Sequence, residues 1–335
     1  MSPYKYIATL DTPRAEDLYR PEGITSFPVG NQFNLDSFNA GWKGDVHILR
    51  TERAEMVRAI TDAGIPLLVL PQLLSTFKRA NGMSEAIEYV RDPVSVSRDG
   101  RMLLFKMSAE TRRMEPQIHA LFAEALGLKA VHAQAGLNEG GNSRVLNIKG
   151  EPWIFASTSV RSDLNGLTEQ ADFLGIPETN RIFLELTDGF HFDCAFMPVV
   201  DGNETLHVAS SMDAFSDKSR QTIERTVSDL EGELHELDST DVELMAPNQL
   251  FTGSHIFRTE PFVNQSLEAR WTSLPGIGVS TFPLTQNRRT GGQVHCLTQE
   301  VYVPEPLDPQ SIRAALSRHS DVFGDNPEVK IFNNY

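Results

Sequence analysis

The chain predicts an α/β fold built as a ring of repeated strand–strand–helix–strand units, and three observations carry that expectation. Helical patterns begin near residues 51, 111, 163, 219 and 309, so about five units recur at the spacing of ring and solenoid repeats. Short apolar, β-branched runs flank each helical stretch on both sides. No Gly-x-Gly-x-x-Gly follows a strand and no Gly-x-x-x-x-Gly-Lys is present, which leaves a doubly wound nucleotide fold without support. The competing reading is an α+β domain with no true repetition.

The elements follow in order. A strand at 6–10 leads into residues 11–45, rich in Pro, Gly, Asn and aromatics. A loop of that length in a compact protein is more often a lid or binding loop than an idle connection. Next come strand 46–50, helix 51–63 with Met56, Ile60 and Ala63 on one face, and strand 66–70. The second unit is strands 94–96 and 102–106, helix 111–126 and strand 129–133. In the third, strands 144–148 and 153–156 precede helix 163–174, with Asp163 as its N-cap, and strand 181–186. The fourth has strands 192–200 and 205–209, helix 219–230 with Ser216 near its cap, and strand 233–237. The last is looser, with strands inside 255–282, a strand around Cys296, and helix 309–319 opened by Asp308 and Pro309.

Composition narrows the function classes. With 335 residues, 40% hydrophobic and 22% charged, the chain has enough apolar residues for a large core, and 1–335 reads as a single domain. A net charge of −15 argues against a nucleic-acid or anionic-membrane surface and suits a cationic small molecule. Two cysteines, Cys194 and Cys296, do not make a disulfide framework, which favours a reducing, cytoplasmic setting. The N-terminus lacks a charged segment followed by an apolar run, and no apolar stretch approaches the ~20 residues of a membrane span. No cofactor and no resident metal are expected, and the sequence permits a homo-oligomer.

Four clusters with chemical potential fall near the starts of units, and in a ring those ends converge on the axis. They are Arg91-Asp92-Pro93, Asn138-Glu139-Gly140-Gly141-Asn142, His191-Phe192-Asp193 and Gly291-Gly292-Gln293-Val294-His295-Cys296. A thiol after a glycine-rich loop stands where backbone can approach a ligand closely. On the expected strand, His191 and Asp193 share a face, while Cys194 faces the other way as a small buried hydrophobe. Alone, His191 would read as a core histidine; beside an acidic Glu-Gly-Gly cluster and a His-Cys loop it reads as catalytic.

These motifs resemble the guanidino-group-modifying enzymes: arginine deiminases, dimethylarginine dimethylaminohydrolases and amidinotransferases. Arg91-Asp92-Pro93 is similar to the family's Arg-Asp-Pro, and Arg112-Arg113-Met114-Glu115 to its Arg-Arg-x-Glu helix start. Glu139-Gly140-Gly141 resembles the start of Glu-Gly-Gly-Asp, with Asn142 at the last position. Ser159-Val160-Arg161-Ser162 resembles Ser-x-Arg-Thr, with Ser162 at the Thr position. The His-x-Asp and Gly-Gly-x-His-Cys motifs match at 191–193 and 291–296. The resemblance covers about residues 85 to 300 and implies the pentein fold, a five-bladed α/β propeller with pseudo-fivefold symmetry and an axial site.

A guanidinium is planar and cationic, and carboxylates hold its edges by charge-assisted hydrogen bonds. Asp92 and Asp193 are the expected clamps, and a cation between them relieves their mutual repulsion. Cys296 is the expected nucleophile, His191 the acid and then base, and Glu139 the group that orients His191. By resemblance, Arg112 or Arg113, Arg161, and Arg288 or Arg289 read the substrate α-carboxylate, and Asn142 stands among the substrate-binding positions. Hydrolysis of arginine or a close derivative through a thiouronium on Cys296 is the leading expectation. Amidino transfer to an amine is the alternative. A zinc protein using His191, Asp193 and Cys296, or a catalytically silent pentein-fold binding protein, are readings of another class.

Overall fold

Short β-branched and aromatic runs separated by turns form five small sheets among the described residues of a computed structural model, namely 3–12, 45–81, 83, 88–189, 191–289 and 291–333. Four sheets are three-stranded and built alike. Val94–Val96 and Arg101–Leu104 pair antiparallel, the chain crosses over through helix Glu115–Ala125, and Lys129–His132 joins the second strand in parallel. The same order recurs in Ser143–Ile148, Glu151–Thr158, helix Leu164–Phe173 and Arg181–Glu185. It recurs in Phe196–Val200, Leu206–Ser210, helix Asp217–Asp229 and Glu233–Glu236. Leu250–Phe251, His255–Arg258, helix Gln265–Thr272 and Gly278–Thr281 complete the set.

The fifth sheet joins the two ends of the chain. Gln299–Val303 pairs antiparallel with Tyr4–Leu10, which pairs in parallel with Leu67–Leu70 after helix Val46–Asp62, and Lys330–Phe332 adds an outer strand. Each unit therefore has one antiparallel pair and one helical crossover, as the sequence pattern predicts. Among the described residues, no helix is long and apolar enough to cross a membrane.

Several expected elements differ. Residues 46–50 are the first turns of a helix, not a strand, because Asp45 caps it by accepting from the amides of His47 and Ile48. A run of five residues is too short to separate period 2 from period 3.6. The helix beginning at Pro309 is not the crossover of the last unit: its Ile312 and Leu316 pack with Ile118 and Phe122 of another unit. The crossover is Gln265–Thr272, capped by Asn264 and buried through Leu267 and Trp271. The helix expected over 111–126 starts as a 3₁₀ turn, Glu110–Arg112, and becomes α-helical only at Glu115. The proposed binding loop lies outside the described residues apart from Asp11, Thr12 and Asp45.

Asp163 ties helix Leu164–Phe173 to the loop that precedes Glu139. One carboxylate oxygen accepts from Gly166 N at 2.9 Å and the other from Leu137 N at 2.9 Å. Asp163→Ala removes the cap and strands the Leu137 amide, so urea unfolding should show a loss of about 2–3 kcal/mol with an unchanged denaturant slope. A loss below about 0.5 kcal/mol would show that the loop holds itself.

Candidate active site

The glycine pair after Glu139 sets the spacing of the candidate site. Glu139 is the N-cap of a 3₁₀ turn, Gly140–Asn142, and Gly140 N donates to Asp92 O at 2.9 Å while Gly141 N donates to the Asp92 carboxylate at 3.2 Å. A Cβ at Gly140 would stand 2.1 Å from Arg91 O. One at Gly141 would stand 2.6 Å from His191 Nδ1 and 2.9 Å from Asp92 Oδ1. Only residues without a side chain let the Asp92 and His191 segments meet here.

His191 and Asp193 do not lie on a strand. Phe192–Cys194 is a 3₁₀ turn, pinned by Phe192 N donating to Asn142 Oδ1 at 3.2 Å. The Phe192 ring is fully buried against Phe196, 4.6 Å between centroids, and edge-on to Phe215. With that ring as anchor, His191 Nε2 lies 2.8 Å from Glu139 Oε2 and its Nδ1 lies 3.7 Å from Asp92 Oδ1. Asp193 meets His295 Nδ1 at 2.6 Å and the Cys296 sulfur at 3.6 Å. The two residues share the site through a tight turn, where strand alternation had suggested it for another reason.

Cys296 also sits in a turn, since Leu297 N donates to Gln293 O and Thr298 N to His295 O, and the strand begins only at Gln299. Its sulfur is buried and accepts from Asn248 Nδ2 at 3.1 Å. Cys194, expected as a small buried hydrophobe, is only partly buried, and its sulfur lies 3.5 Å from Asp193 Oδ1 and 3.9 Å from Asn248 Nδ2. Sequence reasoning missed Asn248. The available signal was a polar pair, Asn248-Gln249, just before Leu250–Phe251, the place in its unit that Asn138-Glu139 occupies in another.

The arginines divide. Arg112 is buried, bonding Asp92 at 2.7 Å and Glu115 at 2.8 and 2.7 Å, with Glu139 at 3.7 Å. Arg161 is buried with its Nη1 3.2 Å from Glu139 Oε1. Arg113 is exposed. Arg288 pairs with Glu260 at 2.8 Å, and Arg289 ends helix Thr285–Arg289 with its side chain outside the described residues. Asn142 is committed to Ser162, Ser159 and Phe192 N, a scaffold around the turn. Arg144, also missed, donates to the carbonyls of Asp193, Pro247 and Gln249 and so braces the floor under Asp193 and Asn248.

Burial and neighbouring charge set the protonation pattern. Burial pushes the Cys296 thiol well up, and the carboxylates of Asp193 and Asp92 push it further. For His191, burial opposes the charged form, but Asp92 and Glu139 outweigh it and hold the imidazole above its ordinary value. Burial also opposes charge on Glu139, yet the hydrogen bond from His191 and the guanidinium groups of Arg112 and Arg161 hold it below the usual carboxylate range. Burial raises Asp193 despite Arg144 and His191. His295 is held neutral by burial with Arg144, Arg91 and His191 near, so its contact with Asp193 is donation from a neutral ring. Protonated His191 therefore stabilises the fold below about pH 6.5, and that contribution is lost as pH rises through its raised folded value.

Asp92, Glu139 and His191 place ligand atoms within 4.8 Å of one another and could hold a metal. Arg112 and Arg161 already neutralise the two acids, which disfavours a cation at that point.

Gly141→Ala forces a Cβ between His191 and Asp92. The His191 imidazole should titrate at lower pH in NMR, and stability should fall by about 1–3 kcal/mol. An unchanged His191 titration would show that Asp92 does not act on it.

No protein-family model matches the chain, and no curated protein matches it by sequence. Solved structures match in fold. The N-terminal domain of ArgZ, an arginine dihydrolase from the ornithine-ammonia cycle in cyanobacteria, in a cysteine-to-serine variant bound to substrate, is 18% identical with a TM-score of 0.68 over 90% of this chain and 99% of that one. AgrE, in a ternary complex with ornithine and NAD+, is 19% identical with a TM-score of 0.70 over 91% of this chain. DDAH from Pseudomonas aeruginosa, in a cysteine-to-serine variant complexed with citrulline, is 15% identical with a TM-score of 0.61 over 89% of this chain and 99% of that one. This chain spans 40% of the longer ArgZ and AgrE chains. The chain shares the mixed α/β fold of these members of the guanidino-modifying pentein superfamily.

Proposed function

We propose that the chain is a cysteine-dependent hydrolase of the guanidinium group of arginine or a close derivative, working as a single catalytic domain whose five sheets close into a pentein propeller. The observation that carries this reading is the Cys296 sulfur 3.6 Å from Asp193 Oδ2, with Asp92 and His191 joined across Gly141. A thiol facing carboxylates stays protonated, whereas a planar cation seated between Asp92 and Asp193 reverses that field and favours the thiolate. The same cation is the electrophile.

With the cation seated, the Cys296 thiol releases its proton to solvent and the thiolate adds to the guanidinium carbon. The C–N bond to the departing nitrogen breaks as protonated His191 supplies a proton, and ammonia (or an amine from a substituted substrate) leaves a thiouronium on Cys296. Neutral His191 then takes a proton from water as the water oxygen attacks the same carbon, and cleavage of the C–S bond returns the thiol with citrulline. Glu139 keeps His191 charged and aimed, and Arg112 and Arg161 keep Glu139 ionised. Asn248 stabilises the sulfur anion by donating to it. Since Arg161 is engaged by Glu139, Arg113 and Arg289 remain as readers of the substrate carboxylate.

Incubation with arginine, quenched and analysed by intact mass, should show a guanidino adduct on Cys296 that is absent from Cys296→Ser, with citrulline and ammonia as products. Ornithine with an amidinated acceptor would replace hydrolysis by transfer. Full activity in Cys296→Ser would exclude a thiol mechanism.

The raised thiol predicts a second behaviour. In the unliganded protein the rate of Cys296 alkylation should climb about tenfold per pH unit through pH 9, because each unit increases the thiolate fraction tenfold below the pKa. A plateau near pH 7 would mean that the sulfur is already ionised before any cation arrives.

A further inference from the structure

We propose that His207, Glu233 and His235 form a binding site for a divalent transition ion of the zinc class, sharing no residue with the candidate active site. His207 lies on strand Leu206–Ser210, and Glu233 and His235 lie on Glu233–Glu236, its parallel neighbour. The register sets His207 opposite Glu233, and His235 is two residues beyond Glu233, so all three project from one face of the sheet. The Glu233 Oε2 oxygen stands 3.3 Å from His207 Nδ1 and 3.6 Å from His235 Nε2. One ligand atom from each of the three lies within 4.8 Å of the others. Zinc bonds of 2.0–2.2 Å in a tetrahedral shell place neighbouring ligand atoms about 3.3–3.6 Å apart, the spacing of Glu233 Oε2 from each histidine nitrogen.

The nitrogens facing this point have no hydrogen-bond partner although both are buried: His207 Nδ1 and His235 Nε2. At 3.3 Å from a carboxylate, His207 Nδ1 still makes no hydrogen bond to it, so the oxygen stands off the axis on which a ring proton would point. The other side of the His207 ring is fixed. Its Nε2 lies 3.3 Å from Asp201 Oδ2, and the second oxygen of Asp201 is held by the amides of Asn203 and Thr205. A carboxylate takes a proton-bearing nitrogen, which leaves Nδ1 with its lone pair. Nδ1 and the Glu233 oxygen are then two lone-pair donors 3.3 Å apart whose axes do not meet head-on, an arrangement that a cation lying off the line between them satisfies. The imidazole rings are near-parallel, 12° apart, with centroids at 5.9 Å. Arg270 also bonds Glu233 Oε2 through a half-exposed side chain, which an ion binding at this oxygen would displace.

Two imidazoles and one carboxylate suit zinc over magnesium or calcium and leave a fourth position for water. The ion would tie the outer strand of the sheet to its neighbour, next to Trp271, whose ring meets His235 edge-on at 6.2 Å.

Chelator-treated protein titrated with zinc chloride by calorimetry tests the site, with His235→Ala, Asp201→Asn and Cys296→Ser in parallel. The expected result is one zinc per chain in the wild type, a loss of at least about 100-fold in affinity for His235→Ala, and about 10–100-fold for Asp201→Asn. Cys296→Ser should bind as the wild type does, and cobalt in the wild type should show a ligand-field spectrum without a thiolate charge-transfer band. Zinc should raise the Tm of the wild type and not that of His235→Ala, which keeps its guanidino chemistry. Equal binding by His235→Ala, loss of binding in Cys296→Ser, or no binding in the wild type would each overturn the proposal.

Discussion

Arg112 is the residue on which the candidate site depends. Its guanidinium lies between Asp92, Glu115 and Glu139, all buried with almost no solvent contact. Carboxylates this deep are costly to ionise: burial pushes Glu115 up to about 7 even beside Arg112, while the fork of N–H donors helps hold Glu139 below the usual carboxylate range. Breaking such a pair by deleting one partner costs about 3–5 kcal/mol, so stability and site electrostatics are linked here. Arg161 extends the same balance to the far oxygen of Glu139. His191 then gains from acids already compensated elsewhere, which is why its imidazole is held above its ordinary value where burial alone would lower it.

The backbone around this network is set by turns at the ends of strands. Glu139, His191 and Cys296 each sit in or beside a short turn before a strand: Gly140–Asn142 before Ser143–Ile148, Phe192–Cys194 before Phe196–Val200, and the Gln293–Thr298 turns before Gln299–Val303. Repetition of one unit brings these equivalent ends together, so a site can be assembled from residues more than 200 positions apart in the chain, as with Asp92 and Cys296. The antiparallel pairing of Tyr4–Leu10 with Gln299–Val303 secures the last of these ends by joining the two ends of the fold.

Much of this was legible beforehand. The order of the units up to residue 237, Asp163 and Asp308 as caps, and the gathering of Asp92, Glu139, His191 and Asp193 into one network around Cys296 follow from spacing and residue type, whereas the last crossover is Gln265–Thr272 and not the helix expected from 309. The misses have identifiable physical causes. Arg112 and Arg113 are neighbours in a 3₁₀ turn, and only the helix that follows decides which points inward. Asn248 carries no motif; its role comes from the turn that places its amide between two sulfurs. Residues 46–50 read alone as a short strand, but the Asp45 cap and the buried face formed by Leu49, Met56 and Ile60 make them helical.

The sequence by itself determined the repeating unit and the residue types at the site, because both depend on local periodicity and on short contiguous motifs. Tertiary structure alone decided which carboxylate meets which cation, that Cys194 lies beside the same aspartate as Cys296, and that His207 and His235 face one carboxylate across two parallel strands. Those outcomes rest on strand register and on desolvated electrostatics. Both act between segments distant in the chain, and their strength depends on burial that no single stretch of residues specifies.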